Sequence, residues 1–146
     1  MKTAIIYFSK FGNNKNISEK LAEMLREGGG EADVYSAADK LPGDLNADLF
    51  VFSSPTRMGN PPGKIKKTVR KIIPKAGAGF AVINSCGGAD QTKVPAVLGE
   101  LAEGRGLKQT AEALLLTVTG MQGPLEEGYE TKLKEFADKL LSFKAE

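Results

Sequence analysis

The chain has 146 residues, 41% of them hydrophobic and 26% charged, the balance of a soluble globular protein at a length that suits one domain spanning residues 1–146. Its 20 Lys and Arg against 18 Asp and Glu leave a net charge of +2, which gives no sign of a nucleic-acid or membrane partner. The absence of His excludes a Ser-His-Asp triad, a histidine base and a His-ligated metal, and the single Cys86 excludes an internal disulfide, a CxxC pair and a multi-cysteine metal or iron–sulfur site.

Apolar runs and helical periodicities alternate along the chain. Thr3–Phe8 reads as a strand buried on both faces. Its apolar run Ala4–Phe8 is too short for a secretory h-region or a membrane span, and with the lone cysteine it points to a cytoplasmic protein. Ile17, Leu21, Met24 and Leu25 then mark an amphipathic helix that stops at Gly28-Gly29-Gly30. A second strand is expected over Ala32–Ser36, and a loop with Pro42-Gly43 leads to a third at Asp48–Ser53. Ile65, Val69, Ile72 and Ile73 share one face of the next helix, with Lys64, Lys66, Lys67, Arg70 and Lys71 on its solvent face. The fourth strand is Gly79–Asn84, followed by a helix aligning Val94, Val97, Leu98, Leu101 and Ala102. A fifth strand lies within Ala111–Thr119, and Leu133, Phe136, Ala137, Leu140 and Leu141 form the last helix.

This is β-α repeated five times. Strands without polar alternation, separated by helices, imply an α/β fold, a three-layer αβα sandwich with a five-stranded parallel sheet. Five such units suit the doubly wound order 2-1-3-4-5, in which ligands bind beyond the carboxyl ends of the strands at the switch point beside strand 1.

The loops at that edge carry the functional signal. After strand 1, Ser9-Lys10-Phe11-Gly12-Asn13-Asn14 runs into a helix whose first N–H groups can meet an anion. Ser9, Asn13 and Asn14 add donors, Gly12 permits close approach and Lys10 adds charge. Taken alone, the same loop is equally an ordinary helix start, with Asn13 or Asn14 as N-cap and Gly12 in a turn. After strand 3, Ser53-Ser54-Pro55-Thr56-Arg57-Met58-Gly59-Asn60-Pro61-Pro62 is longer than capping requires. Its next helix is expected to start at Asn60 or Pro61, with Pro62 in the first turn. After strand 4, Ser85-Cys86-Gly87-Gly88 suggests a backbone approached by something flat, with Asp90 as the following N-cap. Cys86 reads as a packing residue, since no base accompanies it. One loop suits a phosphate and two are rigid, small-residue walls that could hold an aromatic ring. FMN has that shape.

At these loops the chain resembles the flavodoxin superfamily along essentially its whole length. Ser9, Gly12 and Asn13 match the Ser/Thr-x-x-Gly-Asn core of the flavodoxin phosphate loop. Ser9-x-Phe11-Gly12 is also similar to the Ser-x-Tyr-Gly of flavodoxin-like NAD(P)H:quinone oxidoreductases. Pro55-Thr56-Arg57-Met58-Gly59-Asn60 closely resembles their Pro-Thr-Arg-Phe-Gly-Asn flavin loop, and Cys86-Gly87-Gly88 is similar to the third loop. Departures are Phe11 and Asn14 where flavodoxins usually carry Thr, no Trp, Arg57-Met58 in place of the stacking aromatic, and no His before the glycine pair. The chain is also slightly basic where classical carriers are acidic, and it lacks the long insertions of the quinone reductases.

The resemblance implies FMN held by residues 9–14, 55–60 and 85–88, with electrons carried by the flavin and no catalytic side chain or metal. The expected function is electron transfer between redox partner proteins, in a monomer or homodimer. An FMN-dependent NAD(P)H:quinone reductase and a flavin-free scaffold are the alternatives. Gly77-Ala78-Gly79 precedes a strand and is no dinucleotide fingerprint. A phosphoryl-receiver reading fails for want of carboxylates, since the ends of strands 1 and 3 are Phe8-Ser9 and Ser53-Ser54. The basic face from Lys64 to Lys71 reads either as a solvated helix face or as a dock for an acidic redox partner.

Overall fold

The computed structural model describes residues 1–42, 44–87, 92–119 and 123–143. Elements follow in the order β1 (Lys2–Tyr7), α1 (Asn13–Glu27), β2 (Glu31–Ser36), β3 (Leu49–Pro55), α2 (Gly63–Lys71), β4 (Gly79–Cys86), α3 (Lys93–Gly104), β5 (Lys108–Gln109), β6 (Leu114–Thr117) and α4 (Tyr129–Leu141). All strand pairs are parallel, in the order β2-β1-β3-β4-β5, with β6 also on β4. The expected order 2-1-3-4-5 therefore holds, with β5 and β6 sharing the fifth position end to end. β5 pairs with Gly79 and Phe80, and β6 with Ile83 to Cys86. The single fifth strand expected over Ala111–Thr119 is thus interrupted. Thr110 gives both its N–H (3.0 Å) and its hydroxyl (3.1 Å) to the Phe80 carbonyl, and the ladder resumes only at Leu114.

The central strands β1, β3 and β4 are buried on both faces, which is why they read as continuous apolar runs. One face packs Phe50, Phe52 and Phe80 under Ile65 and Val69 of α2 and Val94, Leu98 and Ala102 of α3. The other packs Ile5, Val51 and Ile83 under Ile17, Leu21 and Leu25 of α1 and Leu133, Phe136, Ala137 and Leu140 of α4. No described helix is long and apolar enough to cross a membrane.

Three expectations change. The connection after β2 is the loop expected there, so the count of five β-α repeats falls to four: among the described residues, 37–42 and 44–48 form no helix and bury Ala37, Leu45 and Ala47. Helix α2 begins after Pro62, an extended N-cap (ψ 147°), so neither Asn60 nor Pro61 starts it. It ends at Lys71 because Pro74 disfavours helical backbone at Ile73. Ile73, expected on the buried face, is consequently 70% exposed. At the end of α1 the glycine run behaves as read: Gly29 is left-handed (φ 92°), and Gly28 and Gly30 donate to the carbonyls of Met24 and Leu25.

Candidate functional site

Two strands run further than their sequence suggests, and this builds the floor of the site. β3 continues past its expected end at Ser53 through Ser54 and Pro55, and β4 through Ser85 and Cys86, all four expected in loops. Their polar side chains are buried because they satisfy one another. Asn14, 2% exposed, donates from Nδ2 to Ser53 Oγ (3.1 Å) and accepts at Oδ1 from Ser85 Oγ (2.7 Å). Its amide therefore ties the start of α1 to the ends of β3 and β4. Ser54 donates to the Pro55 carbonyl at 2.8 Å. Pro55 is tolerated because it lies beyond the last β1 partner, Tyr7 opposite Ser53, and pairs only with Ser85.

Above this floor the loops take defined shapes. Ser9 Oγ accepts the Gly12 N–H at 2.9 Å, closing a turn in which Gly12 is left-handed (φ 93°). Gly12 is the N-cap of α1, and no side chain caps the helix; Asn13 and Asn14, expected as caps, are its first two residues. The first-turn N–H groups have no carbonyl one turn back, and a hydroxyl that accepts through Ser9 Oγ keeps its own proton to donate. In the second loop Arg57 and Asn60 exchange backbone hydrogen bonds (2.7 and 3.0 Å) around Met58 (φ 51°) and Gly59 (φ 81°). Two positive φ values in the centre make this a type I′ turn, with Met58 at its tip 95% exposed. Thr56 Oγ1 anchors the turn to β4 through Asn84 Oδ1 (2.9 Å) and the Ser85 carbonyl (3.2 Å).

The loops converge on a cleft of about 240 Å³. Ser9, Lys10, Phe11, Asn13 and Asn14 form one side, Pro55, Thr56 and Arg57 a second, and Ser85, Cys86 and Gly87 a third. Gly12, Met58, Gly59 and Asn60 shape the two turns without lining the cleft. Gly88 and Asp90 lie outside the described residues; α3 starts from Thr92. Two cations border the opening. The Lys10 ammonium is 5.3 Å from the centroid of Phe11, itself 44% exposed, and the Arg57 guanidinium is 5.7 Å from that of Phe8.

Sequence reasoning missed Val118, which completes the lining. It follows β6, where Val118 is bridged antiparallel to Leu125 and Thr119 N–H donates to the Pro124 carbonyl (2.7 Å). The parallel topology already placed the loop after the fifth strand at this edge, so the signal was available. Glu126 fastens the return: it accepts from Thr117 N–H (2.9 Å) and Lys132 (2.8 Å). The Lys132 hydrogen bond first, then that of Thr117, holds its carboxyl below the usual range. Farther along, Gly123 (φ 106°) rests on Asn13, whose Oδ1 would lie 2.9 Å from any Cβ placed there.

No curated protein sequence matches the chain. Among solved structures it is similar to oxidised flavodoxin 1 from Bacillus cereus, with a TM-score of 0.80 at 22% identity over 99% of this chain and 100% of that one. It is similar to a short-chain flavodoxin associated with a non-canonical PDU bacterial microcompartment, with a TM-score of 0.78 at 18% identity over 97% of each chain. It also matches 35% of the rubredoxin oxygen:oxidoreductase from Desulfovibrio gigas, with a TM-score of 0.76 at 18% identity over 96% of this chain. These likenesses concern the fold. The family described as Flavodoxin matches residues 5–136. The chain belongs to the flavodoxin family.

Proposed function

We propose that the chain binds FMN in this cleft and carries electrons between protein partners. The observation that carries the reading is the uncapped start of α1, turned by a left-handed Gly12 and opening where three loops meet. First-turn N–H groups and the Ser9 hydroxyl suit a phosphate. Lys10 and Arg57 add positive charge at the mouth. The Thr56 hydrogen bonds fix one wall at the end of β4, and the pleated ends of β3 and β4 give a firm base for a flat ring. FMN, when bound, supplies the one- and two-electron chemistry. The side chains around it bind, orient and set the local charge.

Carrier and reductase differ in what the protein must recognise. A reductase needs room for nicotinamide and quinone beside the flavin, and the described lining residues here form one cleft of about 240 Å³. The test uses FMN-loaded protein under anaerobic conditions. Chemically reduced protein is expected to pass electrons rapidly to a one-electron protein acceptor such as cytochrome c. With NADH or NADPH and benzoquinone, turnover is expected to be no faster than with free FMN. Rapid NAD(P)H-dependent quinone reduction would instead make the protein an enzyme.

A further inference from the structure

The helix-free crossover from β2 to β3 has a second consequence. An irregular segment is thinner than a helix, whose side chains fill a cylinder about 10 Å across. The described residues of this connection, 37–42 and 44–48, therefore leave part of the α2 side of the sheet open. Between this segment and α2 lies a cleft of about 460 Å³ that shares no lining residue with the site above. Its floor is apolar and buried: Ala37, Leu45, Phe50 and Ile72. Ile73, displaced from the helix by Pro74, stands exposed in its wall.

The rim is cationic. Lys64, Lys67 and Lys71 recur at three- and four-residue spacing, which places them on one face of α2, and all three line the cleft with Lys40 from the opposite wall. Asp39 is the one carboxylate in the lining among the described residues. No described ion pair involves any of these four lysines. Three like charges stacked along one helix face repel one another, and an anion placed among them relieves that repulsion. An apolar floor of this volume with a few polar groups, mostly cationic, at the edge is the arrangement of a small-molecule site.

We propose that this cleft binds a free anionic amphiphile. A hydrocarbon or aromatic body lies on the Leu45-Phe50-Ile72 floor, and its terminal carboxylate, sulfonate or phosphate sits among Lys64, Lys67 and Lys71. The site is independent of the flavin reading, since the two clefts share no residue.

The test titrates isotopically labelled protein, with and without saturating FMN, using decanoate and decyltrimethylammonium below their micelle-forming ranges. Decanoate is expected to shift amides of residues 37–42 and 64–73 saturably in both states, and the cation of equal chain length to bind about tenfold more weakly or worse. The Lys64→Glu, Lys67→Glu double variant is expected to lose about tenfold in decanoate affinity with an unchanged melting temperature. Thr68→Trp, which fills the cleft, is expected to abolish binding; should it misfold, the lysine variant carries the test alone. Equal binding of the two amphiphiles, shifts confined to Ser9–Asn14 and Thr56–Arg57, or no saturable shift would overturn the proposal. So would pelleting with phosphatidylglycerol vesicles without decanoate binding, which assigns the face to a bilayer. Self-association that the lysine variant abolishes, in place of ligand binding, would assign it to a second copy and overturn it equally.

Discussion

Asn14 stands at the second position of α1, where the sequence suggests a side chain reaching for phosphate, yet both ends of its amide are engaged beneath the cleft. Truncation to Ala leaves the Ser53 and Ser85 hydroxyls without their partner in a buried setting, at about 1–3 kcal/mol per unsatisfied group. Because hydroxyls rotate to find substitutes, Asn14→Ala is expected to destabilise the fold by about 2 kcal/mol in urea unfolding. A loss below about 0.5 kcal/mol, the scale of an ordinary surface change, would mean that the strut carries no strain-free load. Arg57 acts at the mouth instead, held near the Phe8 ring. Electrons arriving on a bound flavin bring negative charge, which a nearby cation stabilises. Arg57→Ala is therefore expected to shift the reduction midpoint of the FMN-loaded protein to more negative potential in a spectroelectrochemical titration; an unchanged midpoint would remove Arg57 from the tuning of the site.

At the scale of elements, the residues of the site are shaped mainly by turns. The Arg57–Asn60 turn asks for left-handed backbone at two successive positions, and only one of them is glycine. A non-glycine residue there costs about 1 kcal/mol, least for Asn. Met58→Asn is expected to raise the stability of the flavin-free protein by about 0.5 kcal/mol, seen as a higher melting temperature. The central parts of β1, β3 and β4 were legible because burial on both faces leaves no polar alternation. Their ends were not. Ser54, Ser85 and Cys86 look like loop residues, and the partner that engages Ser85 in the strand, Asn14, lies 71 positions away. The helix start was misread for a related reason: Gly12 takes the cap position through its backbone, which no side-chain rule for capping detects. The convergence of the three loops, by contrast, followed from parallel topology alone, and Val118 would have followed had the fifth strand's loop been weighed with the others.

Across the whole molecule, the cleft occupies one edge of the sheet and a separate fastening holds the other. Asp48 joins the starts of three strands: its carboxylate accepts from Lys2 N–H (2.8 Å) and pairs with Lys75 (2.7 Å), its N–H donates to the Lys2 carbonyl, and its carbonyl accepts from Gly79. The Lys75 hydrogen bond first, then that of Lys2, holds the Asp48 carboxyl below the usual aspartate range. A carboxyl depressed on folding contributes stability above its unfolded pKa of about 4 and loses it as pH falls through the folded value. Asp48→Asn is accordingly expected to cost about 1 kcal/mol at pH 7. That gap from the unsubstituted protein should close on acidification below about pH 4, as denaturant midpoints across pH would show, and FMN affinity should not change. A gap constant down to pH 2 would contradict the charge-based origin. The central claim, a phosphate-anchored flavin at the other edge, is tested most directly by titrating flavin-free protein with FMN and with riboflavin and following flavin fluorescence. Tight quenching by FMN with much weaker binding of riboflavin is the predicted result; equal affinity for the two, or no binding of either, would contradict it.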